Sequence, residues 1–195
     1  MWACFGNFRY SWTNLTTLPF KEKSMKTRTK WNIDEAGTLL RLILEHSQLP
    51  LDELKYRKFD KSFWLKLQEE MNRDYMHIHC FWLCYLHVQL FVECDIKLYK
   101  LRRKLFKLLR DSSYRVWSDI RWAEVQTHFP DGLTTRFLYK MCISLVRKHP
   151  NYLKTPLPEL ANFGLQTIQS SRYTNKRLKR LTLNDEGNLE VVPNP

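Results

Sequence analysis

Residues 117–145 read WSDIRWAEVQTHFPDGLTTRFLYKMCISL, which is the pattern of two short helices joined by a turn. Apolar residues at i, i+3 and i+7 predict the first helix: Trp122, Val125 and Phe129. The segment 130–132, Pro-Asp-Gly, ends that helix, and Thr134 is a suitable N-cap for the second one. Two helices connected in this way are typical of a helix-turn-helix DNA-binding unit.

The second of these helices carries two different faces. Its apolar side would pack against the rest of the unit: Phe137, Met141 and Leu145. Its cationic side would meet DNA, with base contacts from Arg136, Tyr139 and Lys140 and phosphate contacts from Arg147 or Lys148. Thr135 and Tyr139 could contact either bases or phosphates. Further phosphate contacts are predicted on the preceding helix: Arg102, Arg103 and Lys107.

The charge of the chain is unevenly distributed. The 195 residues carry a formal net charge of +12. Residues 1–94 hold 13 Lys/Arg against 11 Asp/Glu, whereas residues 95–195 hold 19 against 9. The excess of positive charge in residues 95–195 coincides with the predicted helix-turn-helix unit, which favours double-stranded DNA as the partner. A soluble protein that is merely basic could have the same composition.

Cysteine usage and the N-terminus indicate an intracellular protein. Five cysteines at positions 4, 80, 84, 94 and 142 show no repeated spacing, which does not suggest a disulfide framework. The first 20 residues are aromatic and almost uncharged, unlike a secretory signal.

No motif for catalysis or cofactor binding is present, so we expect neither an enzyme nor a cofactor. The five glycines stand at 6, 37, 132, 164 and 187, too far apart for a phosphate-binding loop. His128 near Asp131 could suggest acid–base chemistry, but a histidine at the end of an apolar helix is more often structural.

An earlier part of the chain repeats the same plan. Asn32 and Glu35 form a potential capping box for a helix over 33–46, and a later segment places Trp64, Leu67 and Met71 at the spacing used by Trp122, Val125 and Phe129. In the second copy, the corresponding first helix carries an apolar face: Leu98, Leu101, Leu105 and Leu108.

The two copies differ after their Trp-containing helices. Residues 75–92, YMHIHCFWLCYLHVQLFV, contain no Lys, Arg, Asp or Glu. Such a segment could be a buried helix, a membrane span, or a translated intron foreign to the domain. A zinc site is a further alternative, although the paired spacings of zinc motifs are absent from the candidate ligands: His77, His79, Cys80, Cys84, His87 and Cys94. We expect 75–94 to interrupt the first repeat and not to read DNA, because it has no cation to meet phosphate.

The C-terminal part contains a short predicted helix and a tail. Residues 159–169 can form a helix that docks through Leu160, Phe163 and Leu165. The tail over 170–195 includes the basic cluster NKRLKR at 175–180, which resembles a nuclear-import signal, and is otherwise predicted to be disordered.

These residues resemble Myb-like (SANT) repeats, three-helix units whose third helix reads the major groove. Trp31 and Trp64 correspond to the first two tryptophans of one repeat and Trp122 to the second tryptophan of the next, whereas Met141 replaces a third tryptophan. More narrowly, four segments are similar to the RNA polymerase I transcription termination factor family: YKLRRKLFKLL, WSDIRWAEVQTHFP, FLYKMCISL and KTPLPELANFGLQTI. The resemblance implies a nuclear, often nucleolar, protein that binds a terminator downstream of ribosomal RNA genes and blocks the polymerase.

The sequence therefore predicts an all-α fold of tandem Myb-like repeats with flexible termini. The predicted boundaries are 1–30 for a flexible segment, 31–94 for the interrupted first repeat, 95–169 for the second repeat with its helical extension, and 170–195 for the tail. The predicted function is sequence-specific binding of double-stranded DNA. The alternative is a SANT-type module that binds transcription or chromatin proteins; a membrane partner is not expected.

Overall fold

The computed structural model describes residues 30–169 and 176–193. The predicted flexible segment 1–30 lies outside the described residues except for Lys30, as do residues 170–175 of the predicted tail. The described chain is mostly helical and builds two hydrophobic cores, one mainly from residues 36–91 and the other mainly from residues 88–168.

The first unit begins with helix α1 (Ile33–Ser47). The predicted capping box is confirmed, because the Asn32 side chain accepts from the Glu35 amide and the Glu35 carboxylate accepts from the Asn32 amide. A short 3-10 turn (Asp52–Lys55) leads to α2 (Lys61–Met71), which Asp60 caps. These helices bury one apolar face, including Leu39, Ile43, Trp64 and Leu67.

The apolar segment forms a continuous helical stretch that we call the apolar helix (residues 75–91). It consists of α3 (Tyr75–Phe81), a π-helical turn (Trp82–Leu86) and α4 (His87–Phe91). The segment is thus the third helix of the first helical unit, packed against α2; the predicted interruption of a Myb-like repeat stays a prediction. The helix tolerates the lack of charge because α2, the second unit and a β-strand all pack against it, which leaves few positions in water.

Neither the membrane nor the zinc interpretation of the apolar helix gains support from its geometry. No described helix is long and apolar enough to cross a membrane. Within residues 30–169 and 176–193, no three His, Cys, Asp or Glu side chains are grouped so that they could hold a metal ion.

The second unit consists of α5 (Leu98–Arg110), a 3-10 turn (Trp117–Asp119), α6 (Trp122–Gln126), α7 (Thr135–Val146) and α8 (Leu157–Gln169). The predicted C-terminal helix is thus confirmed as α8. It lies against α5 so closely that a Cβ on Gly164 would stand 2.4 Å from the Phe106 ring, which would have to shift to admit a larger residue.

The predicted disorder of the tail is wrong for residues 176–193. Strands β1 (Arg180–Leu183) and β2 (Leu189–Val192) form an antiparallel hairpin, so the fold is not purely α-helical. Spaced leucines anchor this C-terminal segment: Leu178 enters the second core, whereas Leu181 and Leu189 enter the first. Their burial stabilises structure in a segment whose overall composition is polar.

Candidate nucleic-acid interface

The turn before α7 fixes the direction of that helix. Gly132 has φ +86°, a conformation that favours glycine, and the Gln126 side-chain amide donates to the Leu133 carbonyl at 2.6 Å. Thr134 acts as the predicted N-cap, with its hydroxyl accepting from the Phe137 amide at 3.0 Å. The geometry of a helix, a tight turn and a capped second helix is thus present where the sequence predicts it.

Four cations lie on α7 or directly after its C-terminal end. Arg136, Arg147 and Lys148 are exposed, Lys140 and Thr135 are half-buried, and α7 contains no Asp or Glu. We call the four cations Arg136, Lys140, Arg147 and Lys148 the cationic stripe. The opposite side of the helix is buried as predicted at Phe137 and Met141, while Leu145 is only partly covered.

Tyr139 belongs to an aromatic cluster at the edge of the core. Its ring centroid lies 5.9 Å from that of Trp117 and 5.4 Å from that of Trp122, with the Trp122 ring edge-on. The Arg136 guanidinium lies 5.7 Å from the centre of the same ring. These contacts make Tyr139 a support for Arg136, and they compete with the predicted role of Tyr139 as a base contact.

Lys140 reaches across to the first unit. Its ammonium lies 4.4 Å from the ring centre of Tyr85 on the apolar helix. Burial disfavours the charged ammonium, but the hydrogen bond to Tyr85 and the nearby Cys84 outweigh this effect, so the pKa of Lys140 is raised. The side chain therefore remains a cation at neutral pH.

A groove of about 670 Å³, which we call the cationic groove, runs beside Lys140. Three elements supply its basic residues: α5, α7 and the segment before β1. No carboxylate occurs among the residues that line it, and the five cations are Arg102, Lys140, Lys176, Arg177 and Lys179. A groove lined by charges of one sign attracts an anionic ligand.

The three α5 residues that the sequence predicts as phosphate contacts do not all lie on one surface. Arg102 lines the cationic groove, and its buried Nε has no hydrogen-bond partner. Arg103 and Lys107 do not line the groove; Arg103 donates to the Tyr99 hydroxyl at 3.3 Å, and Lys107 is exposed. The structure thus brings Arg102 and Lys140 together but not all three α5 cations.

Sequence reasoning did not place Lys176, Arg177 and Lys179 in the site. The signal was present as the basic cluster at 175–180, which we interpreted as a nuclear-import signal. Backbone pairing brings this segment back to α5: the Leu98 amide donates to the Lys176 carbonyl, and the Leu178 amide donates to the Ile96 carbonyl, both at 2.9 Å. Arg177 also forms an ion pair with Asp95.

The start of α7 is docked on the first unit. The Thr134 hydroxyl donates to the Leu83 carbonyl at 2.5 Å, and the Lys55 ammonium pairs with Asp131 at 2.7 Å. The hydrogen bond between Lys55 and Asp131 raises the pKa of Lys55 and lowers the pKa of Asp131. A Cβ on Gly132 would stand 2.4 Å from the Phe91 carbonyl oxygen, so the turn and the apolar helix are in direct backbone contact.

Comparison of this chain with models of known protein families, with curated proteins and with solved structures found no match.

Proposed function

We propose that this chain binds double-stranded DNA through the cationic stripe of α7, with the two three-helix units acting as Myb-like repeats. The observation that carries the proposal is the cationic stripe: Arg136 and Lys140 lie on a capped helix that contains no carboxylate, and Arg147 and Lys148 follow directly after its last residue. A helix fits the major groove of B-DNA, and cations along its exposed side can meet both base edges and flanking phosphates.

Arg136 and Lys140 are the proposed base readers. Arg136 is exposed near the N-terminal end of α7, the part of a recognition helix that enters the groove in helix-turn-helix proteins. An arginine can pair with guanine through two parallel hydrogen bonds, whereas a lysine contributes a single charged group. Arg147 and Lys148, at the other end of the helix, are proposed to hold backbone phosphate.

The resemblance to RNA polymerase I transcription termination factors narrows this proposal. It suggests a nuclear or nucleolar protein whose target is a terminator of ribosomal RNA genes. The segments that carry the resemblance include α5, α6 and α8, which position α7.

The proposal is tested by titrating the full chain against terminator and random duplexes at several salt concentrations. Release of counterions from about four to seven phosphates should make binding strongly salt-dependent. Arg136→Ala and Lys140→Ala should each cost about 1 to 3 kcal/mol and reduce the preference between sequences. Arg103→Ala, the matched control on α5, should weaken all duplexes equally or not at all. No binding at low salt would reject the proposal.

A SANT-type protein-interaction module is the second candidate. It is favoured by the docking of Thr134 on Leu83, which restricts access to the first turn of α7. A module that binds basic histone tails would need an acidic groove, but the cationic groove has the opposite charge. Tight binding of a histone-tail peptide in the absence of DNA binding would favour this candidate.

A further inference from the structure

The cationic groove continues into a second groove on the first unit. This second groove, of about 490 Å³, lies between α1, the apolar helix and the hairpin. Tyr85, Gln89 and Lys179 line both grooves, so the two form one surface across the two units. Lys30 adds a further cation at its far end, and none of the residues that line the second groove is acidic.

The second groove differs from the first in being aromatic. Trp31 stacks on Phe81 with ring centroids 4.0 Å apart, and Phe81 lies 5.8 Å from Tyr85. Three large apolar side chains on this groove remain unusually exposed: Ile33 at 44%, Tyr85 at 45% and Val191 at 52%. An exposed apolar patch beside cations is a feature of binding surfaces.

From this juxtaposition we propose that the joined grooves bind a single strand of nucleic acid, with the exposed part of the Tyr85 ring stacking on an unpaired base beside the Lys140 ammonium that lies 4.4 Å from the ring centre, and with Lys179 contacting the backbone. Proteins that bind single strands combine a cationic groove for the phosphates with aromatic side chains for the bases. A duplex keeps its base faces stacked inside the helix, so only an unpaired base could use the Tyr85 ring. This inference deepens the proposed nucleic-acid function and rests on it; the two surfaces share Lys140, whereas Arg136 belongs only to the cationic stripe and Lys179 only to the grooves.

The test measures fluorescence anisotropy of the full chain with labelled oligodeoxythymidylate and oligouridylate of about 12 nucleotides, and with a blunt duplex in parallel. Tyr85→Ala should weaken single-strand binding about five-fold or more, and Tyr85→Phe should restore it, because stacking needs only the ring. Tyr56→Ala is the matched control, since Tyr56 is an exposed tyrosine of the first unit that lines neither groove. Lys179→Ala should reduce the salt dependence, whereas Lys154→Ala should not.

Photocrosslinking with halogenated uracil, followed by mass spectrometry, should identify Tyr85 as the attached residue. Equal effects of Tyr85→Ala and Tyr56→Ala would overturn the inference, as would Tyr85-dependent binding of an acidic peptide without single-strand binding. Tyr85-dependent single-strand binding without duplex binding would reject the proposed duplex function and keep this inference. If the chain bound duplex DNA, lost that affinity only with Arg136→Ala and did not bind single strands, the duplex function would be kept and this inference rejected.

Discussion

The apolar helix and α7 take the same place in their units, yet their chemistry is opposite. Each comes after a Trp-containing second helix, and each begins at a side-chain cap, Asp74 in one and Thr134 in the other. The apolar helix has no Lys, Arg, Asp or Glu, whereas α7 presents the cationic stripe. Burial does not account for the difference, because both helices pack against several elements and each exposes only two or three residues; the difference lies in the residues at the uncovered positions, which include Arg136 on α7 and Met76, His77 and Tyr85 on the apolar helix. Two helices in the same place of their units thus differ in the charge that they present.

The substitution with the largest expected effect tests whether the apolar helix is packed in the core of the first unit. Trp82 is 1% exposed, so Trp82→Ala should lower the free energy of unfolding by about 3 to 5 kcal/mol, comparable with the stability of a small domain. Met76→Ala on the same helix, at a position 53% exposed, should change it by less than about 0.5 kcal/mol. Urea unfolding followed by circular dichroism measures both. Similar stability of the two variants would show that the helix is not packed as described.

The corresponding test in the second unit compares how much stability is lost when each of two tryptophans is replaced. Trp117 is buried, whereas Trp122, for which the sequence predicts the core position, is only half-buried at the start of α6. Trp117→Ala should therefore cost about 3 kcal/mol and Trp122→Ala clearly less. Thermal melting of the two variants shows which substitution destabilises the protein more. A larger fall in melting temperature for Trp122→Ala would contradict the observed burial.

The contact between the two third helices is tested at Gly132. Gly132→Ala combines a positive φ with a clash against the Phe91 carbonyl and should cost about 1 to 3 kcal/mol. Gly187→Ala has φ +79° but no heavy atom within 4 Å of the added Cβ, so it isolates the backbone strain. If the two variants lost equal free energy of unfolding, the close approach of the turn to the apolar helix would contribute nothing to stability.

The smallest expected effect is a pH dependence carried by the apolar helix. Burial lowers the pKa of His87, although its hydrogen bond to the Lys55 carbonyl partly opposes this. Below about pH 6.5 the unfolded chain binds the proton first, so stability should fall as the pH drops from there toward the lowered pKa. His87→Gln should flatten this part of the stability curve, measured by urea unfolding between about pH 8 and pH 5. An unchanged curve would exclude His87 as its source.

Local patterns predicted the elements that local forces determine. The capping box at Asn32, the N-cap at Thr134 and helix α8 are set by residues a few positions apart. The apolar helix was predicted only as one of several alternatives, because the usual helical pattern assumes one face in water. The hairpin was missed although Leu181, Leu183 and Leu189 alternate around a loop with Gly187, since the polar composition outweighed that signal.

The site was predicted only where it lies on one helix. Helical spacing predicts that residues 136, 140 and 147 share a side; in the structure α7 holds Arg136 and Lys140, and Arg147 is its C-cap. The cationic groove joins α5, α7 and residues 176–179 through tertiary contacts that no local spacing encodes. Lys140 over Tyr85 is likewise a contact between units.

The hairpin also determines the order in which this chain can fold. Leu181 and Leu189 lie in the same core as Leu39 and Ile43, residues that leave the ribosome long before them. The first unit therefore exposes part of its core until the strands of the hairpin emerge, although the second unit has by then been synthesised. Contacts of such long sequence separation slow folding and prolong the exposure of apolar surface, which makes nascent chains dependent on chaperones.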